Sequence, residues 1–228
     1  MLKNYKPIIV GRGYKRESNK DVDMMVSDGN SILCGVDDAG DEMYLIAQRT
    51  SAPVFSGKSI SNLVDKILRN GFSGFEVSEY NLIIVDDGFQ HRRLYRDVDI
   101  VLVDSATLTA SLVPWRMREP LNSLNRADII ILSELLDIDI FRESYLVEDK
   151  IVFQPERRLC LPDFMCGEVT SSITEQIVTV TGLAKPNSFF TMLTKQGYNV
   201  VYHFIYPDHH NYSRNEVIRL CMKCNHKG

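Results

Sequence analysis

Three unbroken apolar runs limit the fold of this chain more than any other sequence feature. They occupy residues 81–86, 99–104 and 127–132, and each contains four consecutive Ile, Leu or Val residues. A strand with one face in water alternates apolar and polar residues, whereas a strand in a parallel sheet is buried on both faces and is continuously apolar. The runs therefore predict central strands of a parallel sheet. Further strands are expected at residues 8–10, 176–180 and 199–204.

Helical patterns separate these strands. Between residues 60 and 68, apolar residues recur at helical spacing and form one stripe, and Gly71 is suited to end that helix. A second helix is expected after Pro186, and Ser213 with Glu216 forms a capping box that opens a third. Alternating strands and helices predict an α/β fold.

Length and composition limit how the chain can be organised. We expect its 228 residues to form a core lobe over residues 1–154, an irregular connection over 155–175 and a partial second lobe over 176–228. A net charge of −4 excludes the broad basic surface that nucleic-acid binding needs. Five cysteines without a secretory signal indicate a reduced, cytoplasmic chain, and no apolar window of about 18 residues predicts a transmembrane segment.

The strongest chemical motif follows the first apolar run. Asp86 and Asp87 come directly after the expected strand, and Gly88 allows a sharp exit from it. Ligands of open α/β sheets bind at the carboxyl ends of strands, where two carboxylates can hold Mg²⁺ directly or through water. Asp86 and Asp87 are therefore candidate ligands of Mg²⁺, and the alternative is an acidic turn that binds nothing.

Three other segments carry chemically active side chains. Asp41, at the start of an expected helix, is a candidate general base, although an acidic residue there also favours the helix dipole by itself. His209 and His210 follow a strand, and in a strand-like segment they would face opposite ways. One of them can orient a catalytic carboxylate. Arg118 beside Glu119 can bind a phosphate with two hydrogen bonds, and the alternative is an ion pair at the surface.

Residues 52–59 match a relaxed phosphate-loop pattern that ends in Gly57-Lys58-Ser59. Such a loop must wrap the phosphates with consecutive backbone N–H groups. Pro53 has no N–H group, and Val54 and Phe55 favour an extended backbone. We therefore expect this segment not to bind the phosphates of ATP.

Six short motifs occur in a fixed order and cover roughly residues 8–214. They are Arg12-Gly13-Tyr14, Gly40-Asp41-Glu42, Asp86 to His91, Arg118-Glu119-Pro120, Gly182 to Pro186 and Asp208-His209-His210. No single motif is decisive, but the ordered set resembles the lipid A 4'-kinase (tetraacyldisaccharide 4'-kinase) family.

The resemblance implies an activity, a location and a fold. The family transfers the γ-phosphate of ATP to the 4' hydroxyl of a tetraacylated glucosamine disaccharide, a step of lipid A and lipopolysaccharide biosynthesis in Gram-negative bacteria. It implies a peripheral position at the cytoplasmic face of the inner membrane. It also implies a P-loop-kinase-like parallel sheet with helices on both faces, and a second, smaller α/β lobe.

The resemblance also implies roles for individual residues. Asp41 would be the catalytic base and His209 its partner, although His210 remains open for that role. His91 would support the catalytic site. Arg12 would contact the phosphorylated disaccharide.

The same resemblance implies how the cofactor is held. Asp86 and Asp87 would bind Mg²⁺ and ATP, and Glu119 would support the site. Arg118 would contact the substrate together with Arg12. This assignment of roles is chemically consistent, because cations neutralise the transferring phosphoryl group while a carboxylate removes the proton of a sugar hydroxyl.

The sequence departs from the family pattern in several places. The family's Gly-rich loop with Lys-Thr precedes the Arg-Gly-Tyr motif, whereas Arg12 here lies near residue 1. Met43 replaces the usual Pro after Gly-Asp-Glu, and Trp115 lies where Pro-Ala-Gly-Pro is expected. These departures indicate either a separate polypeptide that carries the phosphate loop, or an inactive or partial form of the kinase.

Two other functions remain open at this stage. One is a non-catalytic nucleotide-fold fragment that binds a partner. The other is a metal-dependent phosphoesterase of the Asp-His-His type, which would need further Asp ligands early in the chain and a separate domain after His210.

Overall fold

The first sheet of the computed structural model is built around strand β1, which lies between two parallel neighbours in the order β2-β3-β1-β4. Strand β2 pairs antiparallel to β3 at one edge. The four strands are β1 (Pro7–Gly11), β2 (Met24–Ser27), β3 (Val54–Ser56) and β4 (Leu82–Val85). The structure describes residues 4–13, 22–72, 74–104, 119–133, 137–145, 147–155 and 176–225.

Helices cover both faces of this sheet because side chains alternate along β1. Ile8 and Val10 point to one face and pack with the apolar stripe of a helix, whereas Ile9 packs with a different cluster that includes Met43 and Val54. The helices are α1 (Val36–Ala39), α2 (Asp41–Arg49) and α3 (Ile60–Asn70).

Glycines end or join these helices as the sequence predicts. Gly71 caps α3 with a φ of 64°. Gly40 joins α1 to α2 with a φ of 81°, a backbone conformation that side-chain-bearing residues rarely adopt. The start of α2 is therefore fixed immediately before Asp41.

A second parallel sheet, of order β5-β6-β7, follows in the chain. Val103, Leu132, Phe141 and Val152 form part of its core. Its elements are β5 (Ile100–Val103), β6 (Ile129–Leu132), α4 (Ile138–Tyr145) and β7 (Ile151–Phe153), and a short 3₁₀ helix (Leu121–Arg126) precedes β6.

Both sheets belong to the compact unit Met1–Pro155, and Glu156–Gly228 forms a second unit. In the second unit two parallel strands alternate with two helices. These elements are β8 (Gln176–Thr181), α5 (Pro186–Lys195), β9 (Asn199–Ile205) and α6 (Arg214–Asn225). The connection expected over residues 155–175 stays a prediction, because all but its first residue lies outside the described residues.

The α/β class is confirmed, and so are the six expected strands. The expected burial on both faces is wrong for β4 and β5, because Leu82, Ile84, Ile100 and Leu102 are exposed. The capping box is confirmed as well, since the Ser213 N–H donates to Glu216 at 2.8 Å and the Glu216 N–H donates to the Ser213 hydroxyl at 3.3 Å. Strands β2 and β7 were not predicted, because each has only three or four residues and no clear pattern. Within the described ranges, no helix combines the length and apolar character needed to cross a bilayer.

Residues 52–59 do not form a wrapped loop. Val54–Ser56 is the buried strand β3, and only Gly57, Lys58 and Ser59 separate it from α3. The expectation of an extended backbone at Val54 and Phe55 is therefore confirmed.

The apolar stripe of α3 allows a matched test of the core. We expect Leu63→Ala to lower the free energy of unfolding by about 2–5 kcal/mol, because Leu63 is fully buried against β1 and its removal leaves a cavity. Leu68→Ala on the same helix is the control and should cost less than about 1 kcal/mol, since Leu68 is half-exposed. Urea unfolding monitored by circular dichroism measures both. Equal losses would contradict the packing described here.

Candidate active site

Asp86 and Asp87 form the turn that follows β4. The Asp86 N–H donates to the carbonyl of Val10 at 2.9 Å, so the first carboxylate is still anchored to the central strand. Asp87 has a φ of 53°, in the left-handed region that Asp and Asn adopt more readily than most other residues with a side chain. The turn therefore holds two adjacent carboxylates at the carboxyl end of β4, as the sequence predicts for a ligand site.

The start of α2 lies at this same edge of the sheet. A Cβ atom on Gly11 would lie 2.5 Å from Sδ of Met43 and 3.3 Å from Cβ of Asp86, so the two side chains meet beside the last residue of β1. The Ser56 hydroxyl, at the end of β3, donates to the carbonyl of Ala39 at 3.1 Å. Asp41 comes two residues after Ala39, near the carboxyl ends of β1 and β3.

The electrostatics of the carboxylate pair favour a cation. Burial raises the pKa of Asp86, and the neighbouring charge of Asp87 raises it further. A divalent cation between or beside these carboxylates would offset both effects. In the described part of the chain no cluster of three or more His, Cys, Asp or Glu could hold a metal. The pair still fits Mg²⁺, which commonly takes one or two carboxylates and completes its shell with phosphate oxygens and water.

His91 lies in a positively charged environment. Its pKa is lowered by burial, and then by the charges of Arg12 and Arg96. Its imidazole is therefore neutral near pH 7 and can accept a hydrogen bond through one ring nitrogen. Arg12 follows β1 directly and is exposed.

Arg96 holds the loop that leads from the carboxylate pair to β5. Its guanidinium donates to both carboxylate oxygens of Asp99, at 2.6 and 3.0 Å. It also donates to the carbonyls of His91 at 2.6 Å and Leu94 at 3.0 Å. Sequence reasoning missed this residue, although an Arg three residues before an Asp is a detectable signal for a local ion pair.

The negative charge of Glu119 is paired with two arginines that the sequence analysis did not assign to it. It forms ion pairs with Arg126 and, at 3.5 Å, with Arg92. Arg126 in turn lies over the ring of Phe89, with the guanidinium carbon 4.3 Å from the ring centroid. Arg118 lies outside the described residues, so its pairing with Glu119 stays a prediction.

A cavity of about 1560 Å³ opens beside the carboxylate pair. Asp86, Asp87 and Glu119 line it, together with both flanking strands β4 and β5. Arg12, Asp41 and His91 do not line it. The structure therefore brings three of the eight expected site residues to one cavity. Arg12, Asp41 and His91 lie elsewhere in the first unit, Arg118 is outside the described residues, and His209 belongs to the second unit.

Two motifs meet in the second unit. Gly182 follows β8, and its carbonyl accepts a hydrogen bond from the His209 N–H at 3.0 Å. His209 has a φ of 55° and lies 3.7 Å from the carboxylate of Asp208. His210 is held by Glu216, with Nε2 3.1 Å from Oε1, and it stacks on Tyr206.

The histidines do not lie in a strand-like segment. β9 ends at Ile205, and Pro207 begins a turn that contains both of them. The expected strand-like segment is therefore wrong, so strand alternation does not set the directions of the two side chains. Asp41 and His209 belong to different compact units, so their partnership stays a prediction.

The fold and the position of the carboxylate pair indicate a class of protein, an α/β nucleotide kinase fold with two acidic residues at the end of a sheet strand. The family model described as tetraacyldisaccharide-1-P 4'-kinase matches residues 1–228, and the chain belongs to that family. The Asp-His-His phosphoesterase alternative is not favoured, because this match extends over the whole chain.

Individual relatives support the same assignment. The tetraacyldisaccharide 4'-kinase of Pelodictyon phaeoclathratiforme is 30% identical over 98% of this chain, and that of Chlorobium chlorochromatii is 33% identical over 98%. The crystal structure of LpxK from Aquifex aeolicus in complex with ATP is similar with a TM-score of 0.67 and 27% identity, over 93% of this chain. The chain spans 65%, 62% and 65% of these three proteins, respectively.

The raised pKa of Asp86 predicts how a substitution changes stability with pH. Because the pKa is higher in the folded state, ionisation of Asp86 disfavours folding as the pH rises above the ordinary value of 3.8. We expect Asp86→Asn to raise the free energy of unfolding at neutral pH, and the gain to disappear below that value. Urea unfolding at several pH values measures this. A lower stability of Asp86→Asn at neutral pH in the absence of metal would contradict the burial and repulsion described here.

Proposed function

We propose that this chain carries the carboxylates of a kinase that transfers the γ-phosphate of ATP to the 4' hydroxyl of a tetraacylated glucosamine disaccharide. One observation carries the proposal: the Asp86–Asp87 pair and the start of α2 lie at the same carboxyl edge of a parallel sheet. Membership of the family supplies the substrate class. The ATP named in the crystal structure of the Aquifex aeolicus relative supports the phosphoryl donor.

The proposed reaction begins with a weak nucleophile. A sugar hydroxyl attacks more readily when a positioned carboxylate accepts its proton, and Asp41 at the first position of α2 is the proposed base. The new bond joins the 4' oxygen to the γ-phosphorus, the bond from that phosphorus to the β–γ bridging oxygen breaks, and ADP leaves. His209 is the proposed partner of Asp41.

Asp86 and Asp87 are the proposed ligands of Mg²⁺. When bound, Mg²⁺ neutralises charge on the phosphate oxygens of ATP. Glu119 supports this region by holding Arg92 and Arg126 in place. The ion pairs fix the guanidinium groups next to Glu119, which lines the cavity.

The remaining residues form the part of the proposed site that binds the disaccharide, which accepts the phosphate. Arg12 and Arg118 would bind anionic groups of the disaccharide, since a guanidinium binds phosphate with paired hydrogen bonds. His91 supports the catalytic site as a neutral hydrogen-bond acceptor, consistent with its lowered pKa. The acyl chains of such a substrate partition into a bilayer, so the proposed location is the cytoplasmic face of the inner membrane, where ATP is available.

A chimera tests the catalytic assignment. Segments of the Aquifex aeolicus kinase are fused ahead of Ile8 and after Arg214, and transfer of radiolabelled phosphate from ATP to the disaccharide is measured. We expect activity in the chimera and a loss of about a hundredfold or more in kcat for Asp41→Asn, because the base is removed while the shape is kept. The control is Asp139→Asn, a carboxylate that is 90% exposed on α4, and it should leave kcat unchanged.

Two outcomes would count against the proposal. A chimera that folds and binds ATP but whose activity is indifferent to Asp41→Asn would remove Asp41 from its role. A chimera that folds and binds ATP but never transfers phosphate would favour the non-catalytic fragment.

Residues 1–228 alone should bind Mg·ATP weakly. Segment 52–59 forms a strand and a three-residue turn, so it offers no wrapped backbone cradle for the phosphates. We propose that a segment other than residues 52–59 supplies that cradle. Calorimetry with Mg·ATP should show no micromolar affinity, and Lys58→Ala should change nothing. Micromolar binding that Lys58→Ala abolishes would instead assign the phosphates to that turn.

A further inference from the structure

The two histidines that follow β9 are held by different parts of the second unit. The His209 N–H donates to the carbonyl of Gly182 at 3.0 Å, so its backbone is tied to the end of β8. The side chain of His210 instead contacts α6, with Nε2 3.1 Å from Oε1 of Glu216. Both contacts act on one short segment, residues 206–210, which we call the histidine turn.

The backbone of the histidine turn needs contacts that hold it in place. His209 has a φ of 55°, in a region that is uncommon for residues with a side chain and that the surrounding structure has to maintain. The Tyr206 N–H donates to the carbonyl of Thr181 at 2.7 Å, and the His210 N–H donates to the carbonyl of Pro207 at 3.1 Å. These bonds join the turn to β8 and to itself, whereas the side chain of His210 joins it to α6.

The capping box of α6 orients Glu216 for its contact with His210. The hydroxyl and the N–H of Ser213 donate to Oε2 of Glu216 at 2.6 and 2.8 Å. These two bonds, and then the bond from His210, lower the pKa of Glu216 to about 2. The carboxylate is therefore ionised at neutral pH and can only accept hydrogen bonds, so Nε2 of His210 carries the proton of the bond between them.

Two tyrosine rings hold the imidazole of His210 in its orientation. It stacks on Tyr206 with ring centroids 4.6 Å apart, and it lies edge-on to Tyr212 at 4.9 Å. The two tyrosine rings are 5.1 Å apart, so all three rings are in mutual contact. Gly182 permits this packing, since a Cβ atom there would lie 3.1 Å from the Tyr212 hydroxyl. Turning the His210 ring towards another partner would break both the stacking and the bond to Glu216.

We propose that His210 is a positioning residue whose bond to Glu216 fixes the histidine turn, and thereby the direction of the His209 side chain, and that His210 itself transfers no proton. The N–H that a second partner would need is already directed at a carboxylate that the capping box holds. The catalytic consequence rests on the proposed function, in which His209 is the partner of Asp41. Of the two histidines that the sequence leaves open for that role, His209 is then the one assigned to it.

Two substitutions of His210 separate its hydrogen bond from its ring. His210→Gln keeps a side-chain N–H that can donate to Glu216 but removes the ring, whereas His210→Phe keeps a ring and removes the donor. In residues 1–228 we expect the His209 amide to exchange about tenfold faster or more in His210→Phe, because its bond to Gly182 opens more often. His210→Gln should restore most of the protection. Amide hydrogen exchange followed by nuclear magnetic resonance measures both variants.

Ser213→Ala is the matched control for a loosened α6. It removes a hydroxyl of the capping box but leaves the bond between His210 and Glu216, so exchange of the His209 amide should not change. Unchanged exchange in His210→Phe, or protection that His210→Phe keeps and His210→Gln loses, would overturn the proposal. If His210→Phe does not fold, Glu216→Ala takes its place, and exchange no faster than in Ser213→Ala would overturn it.

The catalytic consequence is tested in the chimera with Aquifex aeolicus segments, with its second junction moved behind Asn225 so that Glu216 is kept. We expect His210→Phe to lower kcat by about tenfold, with the KM for ATP unchanged, and to have no further effect in a His209→Ala background, because both changes act through one side chain. His210→Gln should restore most of the kcat. An equal loss from His210→Phe in both backgrounds, or an equal loss in His210→Gln and His210→Phe, would overturn the positioning role.

The two measurements separate the positioning role from the proposed function. Amide exchange is measured in residues 1–228 without ATP or disaccharide, so an inactive chimera would contradict the proposed function and leave the exchange result to decide whether His210 fixes the turn. An active chimera whose kcat is indifferent to His209→Ala would overturn the catalytic consequence, whatever the exchange result.

Discussion

The two-sided hydrogen bonding of β1 is the constraint on which the rest of the first unit depends. Its register places Val10 beside Phe55 on one neighbour and beside Val85 on the other. The ends of three strands therefore coincide, although their residues are far apart in sequence. Gly11 adds a second condition, since a Cβ atom at this position would crowd both the end of the Met43 side chain and Cβ of Asp86. Backbone hydrogen bonding and the glycine at the end of β1 thus determine where the site residues lie, independently of their charges.

Charge is distributed unevenly around that edge. Arg96 is matched by Asp99, and Arg126 is matched by Glu119, so these two cations mainly hold the loops that enclose the cavity. Burial and the neighbouring charge of Asp87 both raise the pKa of Asp86, and a hydrogen bond from the Asp87 backbone opposes them only in part. A cation bound there gains more than it would beside an already neutralised carboxylate.

Sequence patterns predict the parts of this structure that depend on local or periodic features. Continuous apolar runs located β4, β5 and β6, and Gly71 located the end of α3, because apolar strands and helix termination leave direct traces in residue type. The runs did not predict that one face of β4 and of β5 is exposed. The pairing of Glu119 with Arg126 left no such trace, since it depends on how the loops pack. The turn at His209 was missed for a similar reason, as its left-handed backbone is fixed by the hydrogen bond to Gly182.

Strand β4 connects the carboxylate pair to the cavity beside it. One edge of β4 bonds to β1 and fixes Asp86, and the residues of β4 also line the cavity. A ligand that fills this cavity would reduce the access of water to the turn, and burial already disfavours the charged form of Asp86. Such a ligand would therefore increase the gain from a bound cation. By linkage the cation would strengthen the binding of that ligand to the same extent, so the cavity and the carboxylate pair are expected to share one binding equilibrium.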